Sequence, residues 1–327
     1  MDSGVLERDS KPVHGDVLAA GRRIAPWVQR TPVLRSSSLD RMAGATLYFK
    51  CENLQRVGAF KFRGASNAVL SLDDARAARG VVTQSSGNHG AALALAAKLR
   101  GIPCHVVVPR NAPAVKLASI RDFGASITQC EPNMAARNAA CAELQARTGA
   151  ELVHPFDDAR VIAGQGTATL ELFEQAGELD CVVAPVGGGG LLSGTALAAH
   201  GVDARIAIVG AEPEQARDAH DSLASGVRIT DRVPETICDG LRGHLGVLAF
   251  DILREHRAAI LLASEVAIAA AMRLVYERLK VVIEPSAAVP LAVVLGDPAR
   301  FAGQRVGIVL SGGNVDLDAL PWQAGAR

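Results

Sequence analysis

The chain has 327 residues, 49% hydrophobic and 4% aromatic, and its 34 Lys plus Arg balance 34 Asp plus Glu for a formal net charge of zero. That length holds two domains of roughly 100 to 200 residues each, with ample apolar side chains for their cores. With neither a basic stripe for a phosphate backbone nor an aromatic platform for bases, the composition argues against a nucleic-acid partner.

The N-terminus mixes Asp2, Glu7, Arg8, Asp9 and Lys11 with no apolar run, so no secretory signal is read there and cytoplasm is the expected compartment. From there, short β-branched runs alternate with alanine-rich helical stretches. This is the pattern of βαβ units and a parallel sheet covered on both faces. Strands are predicted at 46–51, 80–83, 104–109, 126–130, 151–153, 180–185, 205–211, 259–263 and 305–310. Helices are predicted at 16–28, 63–71, 89–100, 113–123, 134–148, 160–175, 190–200, 246–256, 264–280 and 286–295. The uncharged stretch Cys181–Val202 is long enough to span a bilayer. Its glycines, Pro185, Ser193, Thr195 and His200 instead mark a strand, a loop and a buried helix, so no membrane partner is expected. Cysteines 51, 104, 130, 141, 181 and 238 form no C-x-x-C pair and lie mostly in apolar or helical context, which reads as buried thiols of a reducing compartment.

Lysine is scarce: Lys11, Lys50, Lys61, Lys98, Lys116 and Lys280 are all the chain has, and arginine supplies the other basic residues. Lys61 sits in Gly58-Ala59-Phe60-Lys61-Phe62-Arg63-Gly64-Ala65, between two phenylalanines and just ahead of a predicted helix. Such a partly apolar setting favours the neutral amine that a Schiff base requires, a state arginine cannot reach. By itself the octapeptide fits an ordinary surface lysine equally well. Lys50, beside Glu52 in a strand, reads as a structural ion pair.

Three uncharged glycine-bearing loops follow. Ser85-Ser86-Gly87-Asn88-His89-Gly90 opens a predicted helix, where outward backbone N–H groups favour an anion such as a substrate carboxylate. A serine-capped turn is the plain alternative, and His89 reads as packed rather than as a base. Gly187 to Gly190 separates a strand from a helix, the arrangement for backbone donors around a phosphate. Leu192 and Ser193 stand where the third glycine of a dinucleotide motif would fall, and Thr195 follows where a P-loop would continue with Gly-Lys, so both motifs fail. Ser311-Gly312-Gly313-Asn314 follows the apolar strand Val306 to Leu310. One amine followed by three such loops suits a covalently held cofactor with a phosphate, a ring and a bound carboxylate to cradle. Glu212 and Asp218 flank the Ala216 carbonyl near a strand end, and two carboxylates with a carbonyl suit a hard divalent ion completed by water. Exposed acids at a helix start are the alternative there. No His/Cys spacing suggests zinc, and G-x-S-x-G is absent.

From about Pro32 to Leu317 these motifs come in the order and spacing of the serine racemase and serine/threonine dehydratase family of fold-type II pyridoxal-phosphate enzymes, which the chain resembles. The resemblance implies an α/β fold like that of the tryptophan synthase β chain, with two open parallel-sheet domains and the active site in the cleft. A small domain at 83–157 is inserted into a large cofactor-binding domain made of 1–82 and 158–327. Pyridoxal 5'-phosphate is expected on Lys61 beside Phe60, with Asn88 on its ring hydroxyl, Gly187, Gly188, Gly189 and Gly190 at its phosphate, and Ser311 at its pyridine nitrogen. Ser85, Ser86, Gly87, Asn88 and His89 are expected to hold the substrate, and Glu212, Ala216 and Asp218 to hold Mg²⁺ or Ca²⁺. Lys61 is expected to remove the Cα proton, with Ser86 as the acid/base on the opposite face if the enzyme racemises. A serine at the ring nitrogen leaves the ring a weaker electron sink, and expelling a β-leaving group drains the charge at once, so elimination suits the site.

Two positions depart from the animal racemase pattern. Phe156-Asp157-Asp158 follows His154-Pro155 where an asparagine is common, and Gly243 replaces a substrate-side serine. Both tilt toward dehydratase or microbial forms, and Ala59 before Phe60 is the spelling of microbial serine racemases and 3-hydroxyaspartate dehydratases. The implied activity is loss of water and ammonia from L-serine or L-threonine, with serine racemisation left open. 3-Hydroxyaspartate ammonia-lyase is the nearest rival, and a non-catalytic binder of the cofactor or of an amino acid is the alternative of another class. A small amino-acid substrate and a homodimer are expected. The short tail after Leu317 leads to the further expectation that the regulatory domain of the longer biosynthetic threonine dehydratases is missing.

Overall fold

In the structure, a computed structural model that describes residues 6–112 and 114–323, the β-branched runs become ten strands. They are β1 Val33–Leu34, β2 Thr46–Cys51, β3 Val81–Gln84, β4 Cys104–Pro109, β5 Ser126–Cys130, β6 Glu151–Leu152, β7 Cys181–Pro185, β8 Ala207–Pro213, β9 Ala259–Ala263 and β10 Arg305–Leu310. Asp2 and Pro113, both used in the sequence reading, lie outside the described residues. One sheet has the order β1-β2-β10-β7-β8-β9 and the other β5-β4-β3-β6. Among the described residues only β1 runs antiparallel, pairing Val33 with Lys50; β10 registers in parallel on both sides, Val309 opposite Lys50 and Ile308 opposite Val183. Parallel strands are covered by helices on both faces, which is why β7 and most of β10 are apolar and buried.

Each predicted strand and helix is present, with ends shifted by up to four residues. The additions are short: β1 and the helices Ser37–Ala43, Asp74–Ala78, Asp218–Ser225 and Pro298–Phe301. None is long enough to show a hydrophobic period in sequence. The Cys181–Val202 stretch divides into β7 and a buried helix, Gly190–Val202, as read. Among the described residues no helix is long and apolar enough to cross a membrane. All six cysteines are buried and unbridged.

One buried charge cluster fixes the element that carries Lys61. Lys50 does not pair with its sequence neighbour Glu52; its Nζ donates to Glu171 at 2.6 Å and to the Thr31 carbonyl at 2.7 Å. Glu52 lies just past the end of the strand and is taken by Arg63, whose Nε and Nη2 donate to its two oxygens at 2.7 and 2.8 Å. Arg63 also forks onto Glu171 at 2.7 and 2.8 Å. Two cations and two carboxylates thus neutralise one another, and loss of one partner from such a set costs on the order of 3–5 kcal/mol. The cluster ties the first turn of the helix Lys61–Leu70 to the β2 exit and to the helix Ala159–Ala176.

Candidate active site

The chain leaves β2, passes the end of β10 and enters a helix at Lys61. Ala59 bridges Gly312, and the Phe60 N–H donates to the Ser311 carbonyl at 2.9 Å. Lys61 is the first residue of this helix rather than a residue ahead of it. Its Nζ donates to the Pro155 carbonyl at 2.7 Å and lies 5.1 Å from the Phe60 ring centroid. Burial pushes this amine down to about 8, against the pull of Glu284 in the other direction. A neutral carbonyl holds the proton weakly, so the neutral nucleophile is within reach near physiological pH. Burial lowers Lys50 as well, but Glu171 stabilises its charge.

The loops meet Lys61 in a cleft of about 640 Å³ at the carboxyl ends of strands from both sheets, the usual ligand position in open parallel sheets. Phe60, Lys61, Ser85 to His89, Gly187 to Gly190 and Ser311 all line it, so every residue expected to hold cofactor or substrate is in one place. The amides of Gly187, Gly188 and Gly189 meet no acceptor among the described residues. Gly189 has a φ of +86°, a left-handed conformation that a side chain resists, and it caps the helix Gly190–Val202. Free N–H groups at a helix start favour an anion, so this cradle fits the phosphate of pyridoxal phosphate.

Ser85 accepts from the Gly87 N–H at 3.3 Å, and Ser86 is part-exposed in the cleft. His89 is 2% exposed; its Nε2 faces the Val153 carbonyl at 3.3 Å, and burial pushes the ring down to about 3. It is packed and neutral, as its sequence context suggests. Asn88 donates through Nδ2 to both oxygens of Glu284 at 3.0 and 3.1 Å and accepts from Asn314 at 2.9 Å.

Two cleft residues carried no sequence signal. Glu284 is only 4% exposed and precedes an apolar helix without any motif. Arg137 lies in the alanine-rich helix Met134–Thr148, lines the cleft, and has a buried Nε with no acceptor among the described residues. The Oε1 of neighbouring Gln84 is likewise buried without a donor among them, while its Nε2 reaches Asn138 at 2.7 Å.

The three residues expected to bind metal lie outside this cleft. Glu212 is at the end of β8 and accepts from the Ala219 and His220 N–H groups, each at 2.8 Å, capping the helix Asp218–Ser225. Asp218 accepts from the Leu245 N–H at 2.8 Å. Burial, with nearby Asp218 adding repulsion, pushes Glu212 up to about 8, and burial raises Asp218 too. Ala216 lies in a turn between them. No group of three or more His, Cys, Asp or Glu side chains is placed to hold an ion among the described residues. Two buried carboxylates and a carbonyl nevertheless fit a hard divalent cation.

The lowered value of Lys61 has a direct consequence. Hydride-trapped labelling of Lys61 by a small aldehyde in cofactor-free protein should rise with a midpoint near pH 8; a midpoint near the free-lysine value of 10.5 would contradict its burial.

The family model for pyridoxal-phosphate dependent enzymes matches residues 24–312. A β-hydroxyaspartate dehydratase of Paracoccus denitrificans is 51% identical over 311 residues, covering 95% of this chain and 99% of that protein. The crystal structure of serine racemase from Dictyostelium discoideum superposes with a TM-score of 0.91 at 46% identity, covering 94% of this chain and 100% of that one. The crystal structure of a T.th. threonine deaminase gives a TM-score of 0.89 at 44% identity over 94% of this chain and 99% of the other. With its lysine, its glycine cradle and its two parallel sheets accounted for, the chain belongs to the pyridoxal-phosphate dependent enzyme family.

Proposed function

We propose that this enzyme is an ammonia-lyase that converts a small β-hydroxy amino acid, L-serine or L-threonine, to a 2-oxo acid and ammonia: the β-hydroxyl leaves as water, and a water taken up in hydrolysis of the released imine expels the ammonia. The observation that carries the reading is the Lys61 amine, buried against the Pro155 carbonyl and lowered to about 8, in the same cleft as the Gly187–Gly189 amides. Bound pyridoxal phosphate supplies the electron sink for the pair left at Cα. Lys61 would hold the cofactor through Nζ, and the same Nζ would take the Cα proton. The Gly187 to Gly190 amides would hold the cofactor's phosphate, Ser311 its ring nitrogen and Asn88, bonded to Glu284, its ring hydroxyl. The helix start at Ser85 to His89 holds the substrate carboxylate, and neutral His89 contributes packing rather than proton transfer. Ser86 serves as the proton group opposite Lys61, which adds serine racemisation. The match to the pyridoxal-phosphate dependent enzyme family speaks against a binder without catalysis.

A second reading has its own observation. The buried Arg137 Nε, without an acceptor among the described residues, suits a second carboxylate on the substrate, as in 3-hydroxyaspartate. The resemblance to a β-hydroxyaspartate dehydratase supports it. The proposal also divides the chain into a small domain, 83–157, and a large one, 1–82 and 158–327; the location of β3 to β6 within Val81–Leu152 supports the division. A homodimer in the cytoplasm completes it. The six buried thiols support a reducing compartment.

A panel of L-serine, D-serine, L-threonine and 3-hydroxyaspartate, scored for 2-oxo acid and for D-isomer, tests these roles. Arg137→Gln should raise KM for 3-hydroxyaspartate about tenfold, on the order of 1.4 kcal/mol, while changing that for serine little. Ser86→Ala should abolish D-serine formation and use while sparing much of the L-serine elimination. Failure of every β-hydroxy amino acid to yield 2-oxo acid would reject the reading, and parallel loss of both serine reactions would reduce Ser86 to a helix cap.

Glu212 and Asp218 are proposed to hold Mg²⁺ or Ca²⁺ with the Ala216 carbonyl. The raised value of Glu212 means that metal-free native protein keeps a proton there from about pH 4.5 to about 8, so the stability this gives is lost as pH rises through that window. A cation replaces the lost proton. At pH 8, Mg²⁺ should raise the melting temperature of the wild type but not of Glu212→Gln, and Glu212→Gln should be the more stable of the two without metal. A wild type indifferent to both ions at millimolar concentration would remove the metal from the account.

A further inference from the structure

Phe156 brings together the two departures noted in sequence. It follows β6, where the chain returns toward the larger sheet, and its ring meets His154 edge-on with centroids 4.6 Å apart. A Cβ placed on Gly188 would come within 2.2 to 2.5 Å of three Phe156 ring atoms, so the ring lies directly against that backbone. A Cβ on Gly190 would meet the Phe156 carbonyl oxygen at 2.9 Å, and one on Gly243 would meet ring atom Cε1 at 3.3 Å. Two loops separated by more than fifty residues therefore each lack a side chain where this ring passes.

The ring is also held. On one side the Pro155 carbonyl takes the Lys61 amine at 2.7 Å; on the other, the Asp157 carboxylate accepts from the Val247 and Leu248 N–H groups at 3.0 and 2.9 Å. Phe156 is nonetheless part-exposed and lines the cleft together with Gly188 and Gly243. A fixed phenyl surface there offers substrate neither donor nor acceptor. It can only limit volume.

We propose that Phe156 is a specificity-determining residue that sets the largest β-substituent the cleft admits, with Gly243 as its matched partner. The inference rests on the β-hydroxy amino acid reading and names which members of that class fit. Enlarging the site at Phe156 should admit a β-aryl group. Adding a side chain at 243 should be tolerated only when the ring has been removed, because a Cβ contact at 3.3 Å is tighter than ordinary packing.

The test uses holoenzyme carrying Phe156→Ala, Gly243→Ser, or both, with L-serine and β-phenylserine as probes. Dissociation constants are read from the change in cofactor absorbance and kcat/KM from 2-oxo acid, so the ratio of the two ligands does not depend on turnover. Phe156→Ala should shift the ratio at least tenfold toward phenylserine. Gly243→Ser should weaken both ligands in the wild-type background and several-fold less in the Phe156→Ala background, a non-additivity expected only of residues in contact. An unchanged ratio, or additive losses, would show that Phe156 only props the glycine loop and would overturn the proposal. If Phe156→Ala loses the cofactor, Phe156→Leu keeps an apolar wedge of smaller reach and must shift the ratio in the same direction. Wild-type protein that binds both probes without converting either would reject the ammonia-lyase reading while leaving the ligand ratio to decide the role of Phe156.

Discussion

An amine taken out of water and given only a neutral carbonyl as partner is the constraint around which this molecule is arranged. Lys61 would keep its proton on the surface, and beside a bonded carboxylate it would keep it more firmly. Placed against the Pro155 carbonyl, with burial outweighing the pull of Glu284, it comes down to about 8. Rigid surroundings hold it there. Arg63, two residues along the same helix, is locked by Glu52 and Glu171, and the preceding Phe60 is bonded to the end of β10. The strongly charged cluster is displaced to the far side of the helix turn, where it fixes position without supplying the amine with a bonded counter-ion.

The loops at Ser85–His89 and Gly187–Gly190 face the cleft with backbone donors rather than with lysine or arginine side chains. Two helices begin there, at Asn88 and at Gly190, and each presents backbone N–H groups at the positive end of its dipole. Such donors are already in place before any ligand arrives. Arg137 also lines the cleft, with a buried Nε that meets no acceptor among the described residues. Phe156 adds an apolar surface to the same cleft.

What could be read from the sequence was local. The Lys61 octapeptide, the three glycine loops and the alternating strands and helices each announce themselves within ten or so consecutive residues, and the structure brings those loops to one cleft. What escaped depends on pairings between distant segments. Glu284 meets Asn88 across 196 positions, and Lys50 meets Glu171 across 121, so the nearby Glu52 was the wrong partner to infer. Arg137 sits in a helix whose composition gives no hint that one arginine faces the cleft. The contact between Phe156 and Gly243 was invisible for the same reason, although both positions stood out singly. Two-residue β1 and the shortest helices lacked the length to show a period.

The most direct test of the central claim is to reduce the holoenzyme with borohydride and map the cofactor-bearing peptide. The account predicts loss of the cofactor absorbance band with the pyridoxyl group fixed on Lys61, and no fixation in Lys61→Ala. A pyridoxyl group found on Lys50 or any other lysine, or a cofactor that borohydride does not fix at all, would contradict it.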